Sequence, residues 1–290
     1  MRVKTFLSNL VYGNLQNLIV RILARPRFMS LNEFVYVTSI RNLGVLNFQR
    51  EKLTGEKDFV QKLLSRHDSS DFSVIDVGAN VGEFAKFVLD QTNQINLISF
   101  EPNLVPFNLL REISARDSFR FEAINSAVSD FSGTVELIVD DSRPYGGFST
   151  IHSEVHSESD PKIRRVRVAV TSLDEFFENQ KSLQVALLKI DVEGHEKKVL
   201  IGAKFLIDKF KPRAILFEFN YMHIMSNTSL TELMALIGNK YEFFRLLPKG
   251  ELYPLKGKQI WLQEIYAFQN IVCLLKDTKR EQLASKSPVS

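Results

Sequence analysis

The sequence holds a single cysteine, Cys273, in 290 residues. That excludes an intrachain disulfide framework and a cysteine-based zinc cluster, and it fits a reducing compartment. Cys273 sits in the apolar run Ile271-Val-Cys-Leu-Leu275, where a buried strand residue is expected rather than a nucleophile. Long apolar runs are missing too. Arg21 interrupts the best of them, so neither a secretory segment nor a spanning helix is expected, and the chain reads as cytoplasmic. Excess charge is small, formally +3, too little for a dedicated nucleic-acid binder. There is no solenoid-type repeat and no long low-complexity segment. What is present is a chain 44% hydrophobic, able to bury one sizeable core with room for an appendage.

Acid is absent from the first 27 residues, which carry Arg2, Lys4, Arg21, Arg25 and Arg27. Such a segment either lies as a basic amphipathic helix on an anionic membrane surface or forms a helical cap over the sheet or the substrate entrance. Residues 1–70 show helical periodicity throughout and read as an N-terminal helical extension. Residues 71–277 then form the α/β domain, and residues 278–290 a polar tail expected to fray.

The organising stretch runs from Val74 to Pro102. Val74-Ile-Asp-Val opens as a short buried strand, turns at Gly78, and starts a helix with Val81, Phe84, Phe87 and Val88 at helical spacing. A second strand, Ile95 to Phe100, ends on Glu101-Pro102, with Glu101 placed 25 positions after Asp76. This strand–turn–helix–strand unit sets a glycine-lined crevice at strand C-termini, with a carboxylate placed for ribose hydroxyls. The glycine pattern is D-x-G-x-N-x-G rather than G-x-G-x-x-G, with Asn80 at the middle position. A carboxylate at Asp76 repels a pyrophosphate and suits an ammonium group. The better match is a nucleoside with a cationic amino-acid tail, S-adenosylmethionine.

Further along, Asn103 caps a helix carrying Pro106 in its first turn. Phe119 to Val128 reads as the next strand and Ser129 to Gly133 as a turn. Val135 to Val139 and Val166, Val168 and Val170 read as a half-buried antiparallel piece. The Ser-, Gly-, Asp- and His-rich stretch Ser142 to Pro161 between them is a surface loop or a substrate-facing lid. Val185 to Glu196 begins as a buried strand and ends with Asp191, Glu193, His195 and Glu196 at its C-terminal edge, where Lys189 near Asp191 makes a paired charge. Helical periodicity then runs through Val199, Leu200, Ala203, Leu206 and Phe210 and stops before Pro212. Ala214 to Phe219 is another buried strand, Leu230 to Ile237 a helix, and Tyr241 to Leu247 with Ile271 to Leu275 a closing antiparallel pair.

Five blocks in order carry a family resemblance: Val74 to Phe84 with Phe100-Glu-Pro102; Asn125-Ser-Ala-Val-Ser-Asp130 with Gly133; Thr171-Ser-Leu-Asp174; Leu188 to Glu196 with Val199-Leu200 and Gly202-Ala203; and Leu216-Phe-Glu218. The chain resembles the FkbM family of Rossmann-like, class I S-adenosylmethionine-dependent methyltransferases over residues 73–220. The resemblance implies a mostly parallel sheet with a terminal antiparallel hairpin. It implies that Asp76, Gly78, Ala79, Asn80, Gly82 and Phe84 surround the methionine part of the cofactor. Glu101 would bind the ribose hydroxyls, with Pro102, Asn103, Ser126 and Ala127 on the adenine side. The implied reaction is O-methylation of a hydroxyl on a sugar, glycan or glycan precursor, with a secondary metabolite as the other acceptor class.

An acceptor hydroxyl needs alignment with the methyl and a base for its proton. Asp191, Glu193 and His195 are the candidates, with His195 equally readable as a partly exposed residue of the first helical turn. His152, His156 and His223 are weaker ones, and His67 reads as surface. The same oxygen-rich cluster could instead hold a divalent cation, although no metal set is recognisable. Two other classes stay open. An RNA methyltransferase would want a basic stripe with stacking aromatics, and the nearest, Lys162 to Arg167, is short. A non-catalytic nucleotide-binding module would keep the crevice without turnover.

Overall fold

The computed structural model describes residues 2–46, 54–67, 69–141, 149–150 and 162–276, with side chains omitted for 2–12 and 149–150. His152, His156, the tail 278–290 and all of the Ser142–Pro161 loop except the backbone of Ser149–Thr150 lie outside the described residues.

The chain divides into two compact units, residues 1–43 and 44–290. The first holds helices Arg2–Leu23 and Met29–Asn42, whose junction is fastened by the Asn32 amide donating to the Leu23 carbonyl at 2.9 Å. Among the described residues no helix is long and apolar enough to cross a membrane. The second unit starts well before residue 71, where the sequence placed its boundary. The reason is the helix Glu56–Leu64, whose Phe59, Val60, Leu63 and Leu64 are buried against sheet residues Val74, Leu187, Leu216 and Val272. Losing that cover would expose the part of this sheet face that the Glu83–Gln91 helix does not reach.

The main sheet is built from β1 (Phe72–Val77), β2 (Asn96–Phe100), β3 (Phe121–Ile124), β8 (Gln184–Ile190), β9 (Ala214–Phe219), β10 (Tyr241–Leu247), β11 (Glu251–Pro254) and β12 (Gln269–Leu275). Its order is β11-β10-β12-β9-β8-β1-β2-β3. β3, β2, β1, β8 and β9 are parallel neighbours, and β12 runs antiparallel between β9 and β10. The expected mostly parallel sheet with a terminal antiparallel pair is present. Strand order reverses at β1, which opens a crevice at the C-terminal ends of β1 and β8. A smaller sheet, β4 (Ala127–Val128), β5 (Gly133–Asp140), β6 (Ser149–Thr150) and β7 (Ile163–Thr171), carries the antiparallel β5–β7 pair read from the sequence.

Three readings need correction. The expected strand Phe119–Val128 is split: β3 ends at Ile124 and β4 joins the other sheet, while Phe119 is fully exposed in the preceding turn. The long helix after Glu196 is two, Glu196–Ile201 and Lys204–Phe210. Gly202 at their junction faces the Ser129 carbonyl so closely that a Cβ would lie 2.0 Å from it. Asp174 caps the second helix from a distance, its carboxylate accepting from the Phe205 and Leu206 amides at 2.9 and 2.8 Å. His67 is buried rather than on the surface, its ring 4.9 Å from that of Phe72.

Gly78 shows why the turn after β1 needs glycine. It adopts φ +88°, and a Cβ there would sit 1.9 Å from the Asp191 carbonyl oxygen at the end of β8. Gly78→Ala is therefore expected to cost about 2–4 kcal/mol of unfolding free energy, combining left-handed strain and displaced backbone. Urea unfolding would read it, and a loss below about 0.5 kcal/mol, the size of a neutral surface change, would contradict the assignment.

Candidate active site

Strand alternation builds the site. On the sheet face covered by the Glu56–Leu64 and Glu83–Gln91 helices, Leu97, Val74, Leu187, Leu216 and Val272 are buried apolar residues of one core cluster. The next position on that face, toward the crevice, is polar in every case: Ser99 on β2, Asp76 on β1, Lys189 on β8, Glu218 on β9, and Asn270 on the reversed β12. Register places them side by side, with Ser99 opposite Asp76, Asp76 opposite Lys189, and Glu218 opposite Asn270. β2, β1 and β8 thus change from core to polar edge at one level, and β9 and β12 change one step further out, because Lys189 is paired with Leu216.

At the centre lies the Lys189 ammonium. It is buried, 3.1 Å from the Asp191 carboxylate and 3.8 Å from that of Asp76. Its Nζ also stands over the Phe84 ring, 5.1 Å from the centroid. Desolvation works against this charge, yet Asp191 and Asp76 hold its pKa above the ordinary lysine value. Asp76 accepts a hydrogen bond from the Ser99 hydroxyl at 3.4 Å. Burial pushes its carboxyl up to about 6 in spite of Lys189.

Glu101 closes β2. One carboxylate oxygen accepts from the Asn80 amide at 2.9 Å and the other from the Asn103 amide at 2.7 Å, so it ties the glycine turn to the next helix. Burial pushes this carboxyl up to about 7 against those two hydrogen bonds. Each oxygen keeps lone-pair capacity for a hydroxyl donor. Asn103 caps the helix Leu104–Arg116, accepting from the Val105 amide at 3.2 Å. The Asn125 amide donates to the Glu101 and Pro102 carbonyls at 2.8 and 3.1 Å, binding the two turns together. Ser126 and Ala127 are both buried, the Ser126 hydroxyl donating to the Ala127 carbonyl.

Two cavities share the Lys189–Asp191 corner. One of about 390 Å³ lies along Gly78, Ala79, Asn80, Phe84, Lys57 and Asp191. The other, about 240 Å³, lies beyond β8 against Asp191, Glu218, Phe268 and Asn270. Thr54 and Glu56 line both. Of the residues expected around an amino-acid tail, Gly78, Ala79, Asn80 and Phe84 line the first cavity, while Asp76 is fully buried beneath it and lines neither. Glu101, Pro102, Asn103, Ser126 and Ala127 line neither cavity and stand at the far end of the turn. Gly82 is turned away from the site: its Cα faces Leu110 and Ile113, where a Cβ would lie 2.9 and 2.8 Å from their methyl groups.

The base candidates separate. Asp191 lines both cavities. Glu193 and Gly194 form a left-handed turn, φ +50° and +95°. His195 is buried instead of partly exposed, its Nε2 2.9 Å from the Ser129 hydroxyl, away from both cavities. Glu196 and His223 are fully buried together, 3.0 Å apart. Glu196 also accepts from the Val192 amide at 3.1 Å, and His223 Nδ1 from the Asn220 amide at 3.3 Å. That assigns the proton to Nε2 and makes His223 a brace between the loops after β8 and β9. Glu218 accepts a hydrogen bond from the Asn220 amide, and burial with the nearby Asp191 and Glu193 carboxylates pushes its pKa well up. Among the described residues no three His, Cys, Asp or Glu side chains are arranged to hold a metal ion.

The sequence reading left out Thr54, Glu56, Lys57, Phe268 and Asn270 and gave Glu218 no role. For Glu218 and Asn270 a signal existed: each is a polar residue at the crevice end of an otherwise apolar strand.

The residues fit S-adenosylmethionine. The turn has no side chain at Gly78, carboxylates at Asp76 and Asp191 suit a cationic tail, and Glu101 suits a diol. Asp76 and Glu101 hold a proton more tightly folded than unfolded. Between about pH 4 and 7 the folded state therefore binds the extra protons, and stability falls as pH rises through that window, by about 3 kcal/mol per group. Asp76→Asn is expected to flatten the fall of unfolding free energy with pH; parallel curves for the two proteins would contradict the burial argument.

Residues 76–245 match the family described as Methyltransferase FkbM domain. The chain is 30% identical over 150 residues to the "Hexuronic acid methyltransferase AglP" of Haloferax volcanii, covering 52% of this chain and 57% of that one. It is 26% identical over 153 residues to the "31-O-demethyl-FK506 methyltransferase FkbM" of Streptomyces tacrolimicus, covering 45% and 59%. The chain thus spans less than two thirds of either curated relative. Among solved structures, a Methyltransferase FkbM from Methylobacillus flagellatus KT is 15% identical, with TM-score 0.44, covering 71% of this chain and 44% of that one.

Proposed function

Because the chain belongs to the Methyltransferase FkbM domain family, we propose that it transfers the methyl group of S-adenosylmethionine to a hydroxyl of a sugar, glycan or glycan precursor. The observation that carries this is the row Ser99, Asp76, Lys189, Glu218 and Asn270 beside the glycine turn. It gives one crevice with a cofactor end and a hydroxyl-binding end. The relative acting on hexuronic acid supports a sugar acceptor, and Asp191, Glu218 and Asn270 on the otherwise partly apolar wall of the second cavity supply hydrogen-bonding groups for its hydroxyls.

When bound, S-adenosylmethionine supplies a methyl group on a positively charged sulfur, already a good leaving group. Glu101 receives the ribose hydroxyls, while Asp76 and the Gly78–Asn80 turn hold the amino-acid end, with Lys57 at hand for its carboxylate. Asp191, at the corner shared by both cavities, takes the proton of the acceptor hydroxyl. Lys189 fixes the orientation of Asp191 through their ion pair. Alignment supplies much of the rate, and a base adds about 10²–10⁴-fold.

Thermal unfolding with S-adenosylhomocysteine tests the cofactor assignment. Ligand at about 100 times its dissociation constant adds roughly 2.7 kcal/mol, several degrees in midpoint. The shift should vanish in Glu101→Ala and be absent with NAD. Asp191→Asn should keep the shift and lose about 10²-fold or more of methyl transfer to a panel of sugars. Stabilisation by NAD alone, or by neither ligand, would overturn the proposal.

A further inference from the structure

The second cavity carries a statement about which acceptors fit. Its wall includes Asn270, which is more than nine-tenths buried. Among the described residues the Asn270 side chain makes no hydrogen bond, although an amide in such a place ordinarily has partners. Asn270 sits directly opposite Glu218 across the β9–β12 pair, so both side chains lie on one face and reach one space. An amide offers two donor hydrogens and a carbonyl acceptor, and Glu218 offers acceptor oxygens. That combination matches adjacent hydroxyls, each of which donates and accepts.

Charge sets the second condition. Glu56 and Asp191 line this cavity beside Glu218, whose carboxyl burial makes harder to ionise, and the one cation among the described lining residues, Lys189, is already engaged by Asp76 and Asp191. An incoming carboxylate would meet the Glu56 and Asp191 carboxylates with no uncommitted cation among the described lining residues, whereas a neutral hydroxyl or an ammonium would be accepted. Rejection by like charge is a strong device because the repulsion acts only on the wrong ligand. A space of about 240 Å³ suits one ring-sized unit of an acceptor rather than a whole drug-sized molecule.

We propose that this cavity is the acceptor subsite, that Asn270 is its hydrogen-bonding specificity residue, and that it takes an uncharged or amino-bearing hydroxylated ring and excludes a carboxylate-bearing one. This rests on the methyltransferase reading above and narrows its acceptor. Neither the glycine turn nor Glu101 takes part in the choice.

The test is saturation-transfer NMR on the full chain loaded with S-adenosylhomocysteine, using the methyl glycosides of glucose, glucosamine and glucuronic acid as probes. The glucoside and glucosaminide should receive saturation about fivefold or more above the glucuronide, and Asn270→Leu should reduce theirs by about fivefold, the worth of one hydrogen bond. Saturation of S-adenosylhomocysteine in the same tubes should be unchanged by Asn270→Leu. Asn270→Thr serves the same comparison if the leucine variant does not fold. Equal or stronger saturation of the glucuronide, no effect of either Asn270 variant, or no saturation of any sugar would overturn the inference. Sugar signals lost while the adenosyl signals persist would sink this inference alone. Loss of the adenosyl signals in the unmodified chain would sink the methyltransferase reading with it.

Discussion

A single buried cation constrains the rest of the site. The Lys189 ammonium sits in the sheet, out of water, and is tolerable there only because Asp76 and Asp191 flank it. Removing either carboxylate would leave a buried charge short of its partner, which is far more costly than the net worth of the pair. The β1–β8 register delivers Asp76 beside Lys189, and the chain's exit from β8 delivers Asp191. For that exit to pass over the turn after β1, the Asp191 carbonyl must come within a methyl's breadth of Gly78, so no side chain fits there. The crevice is therefore a consequence of pairing one lysine. Its glycine turn, its carboxylates and its open end are parts of one arrangement.

A second fastening holds the β8–β9 side of the crevice. Glu196 and His223, buried 3.0 Å apart, connect the loops after β8 and β9, Glu196 accepting from the Val192 amide and His223 from the Asn220 backbone amide. A β-carbon on Gly194 would lie 2.9 Å from that of Met222, so the same loops are also in steric contact. Asp191 and Glu218, which stand on either side of this brace, gain a fixed separation from it. Such preorganisation matters because a small misplacement of the reacting groups costs rate steeply.

Much of this was legible in the sequence, for identifiable reasons. Short apolar runs ending in acid marked β1, β2, β8 and β9, because buried parallel strands are apolar on both faces until they reach the crevice. The Leu230–Ile237 helix stands where it was read, and the structure adds a Ser229–Glu232 capping box at its start. Other things were hidden because they depend on contacts far apart in sequence. Nothing local to residues 54–64 says that this helix belongs to the sheet rather than to the N-terminal extension. Gly82 and Asp174 fit a family pattern, and only the packing shows that one admits a neighbouring helix and the other caps one. His195 and His223 looked alike as titratable groups, yet burial commits one to Ser129 and the other to Glu196. Asn270 was missed because a lone asparagine before an apolar run resembles a strand end until the reversed direction of β12 brings it beside Glu218.

The most direct measurement is a crystal structure of the full chain with S-adenosylhomocysteine. The account predicts ribose hydroxyls on the Glu101 carboxylate, the amino-acid end along Gly78 to Asn80 near Asp76, and the sulfur directed to the Asp191 corner. A ligand seated away from these residues, or ribose and tail reversed in the crevice, would contradict it.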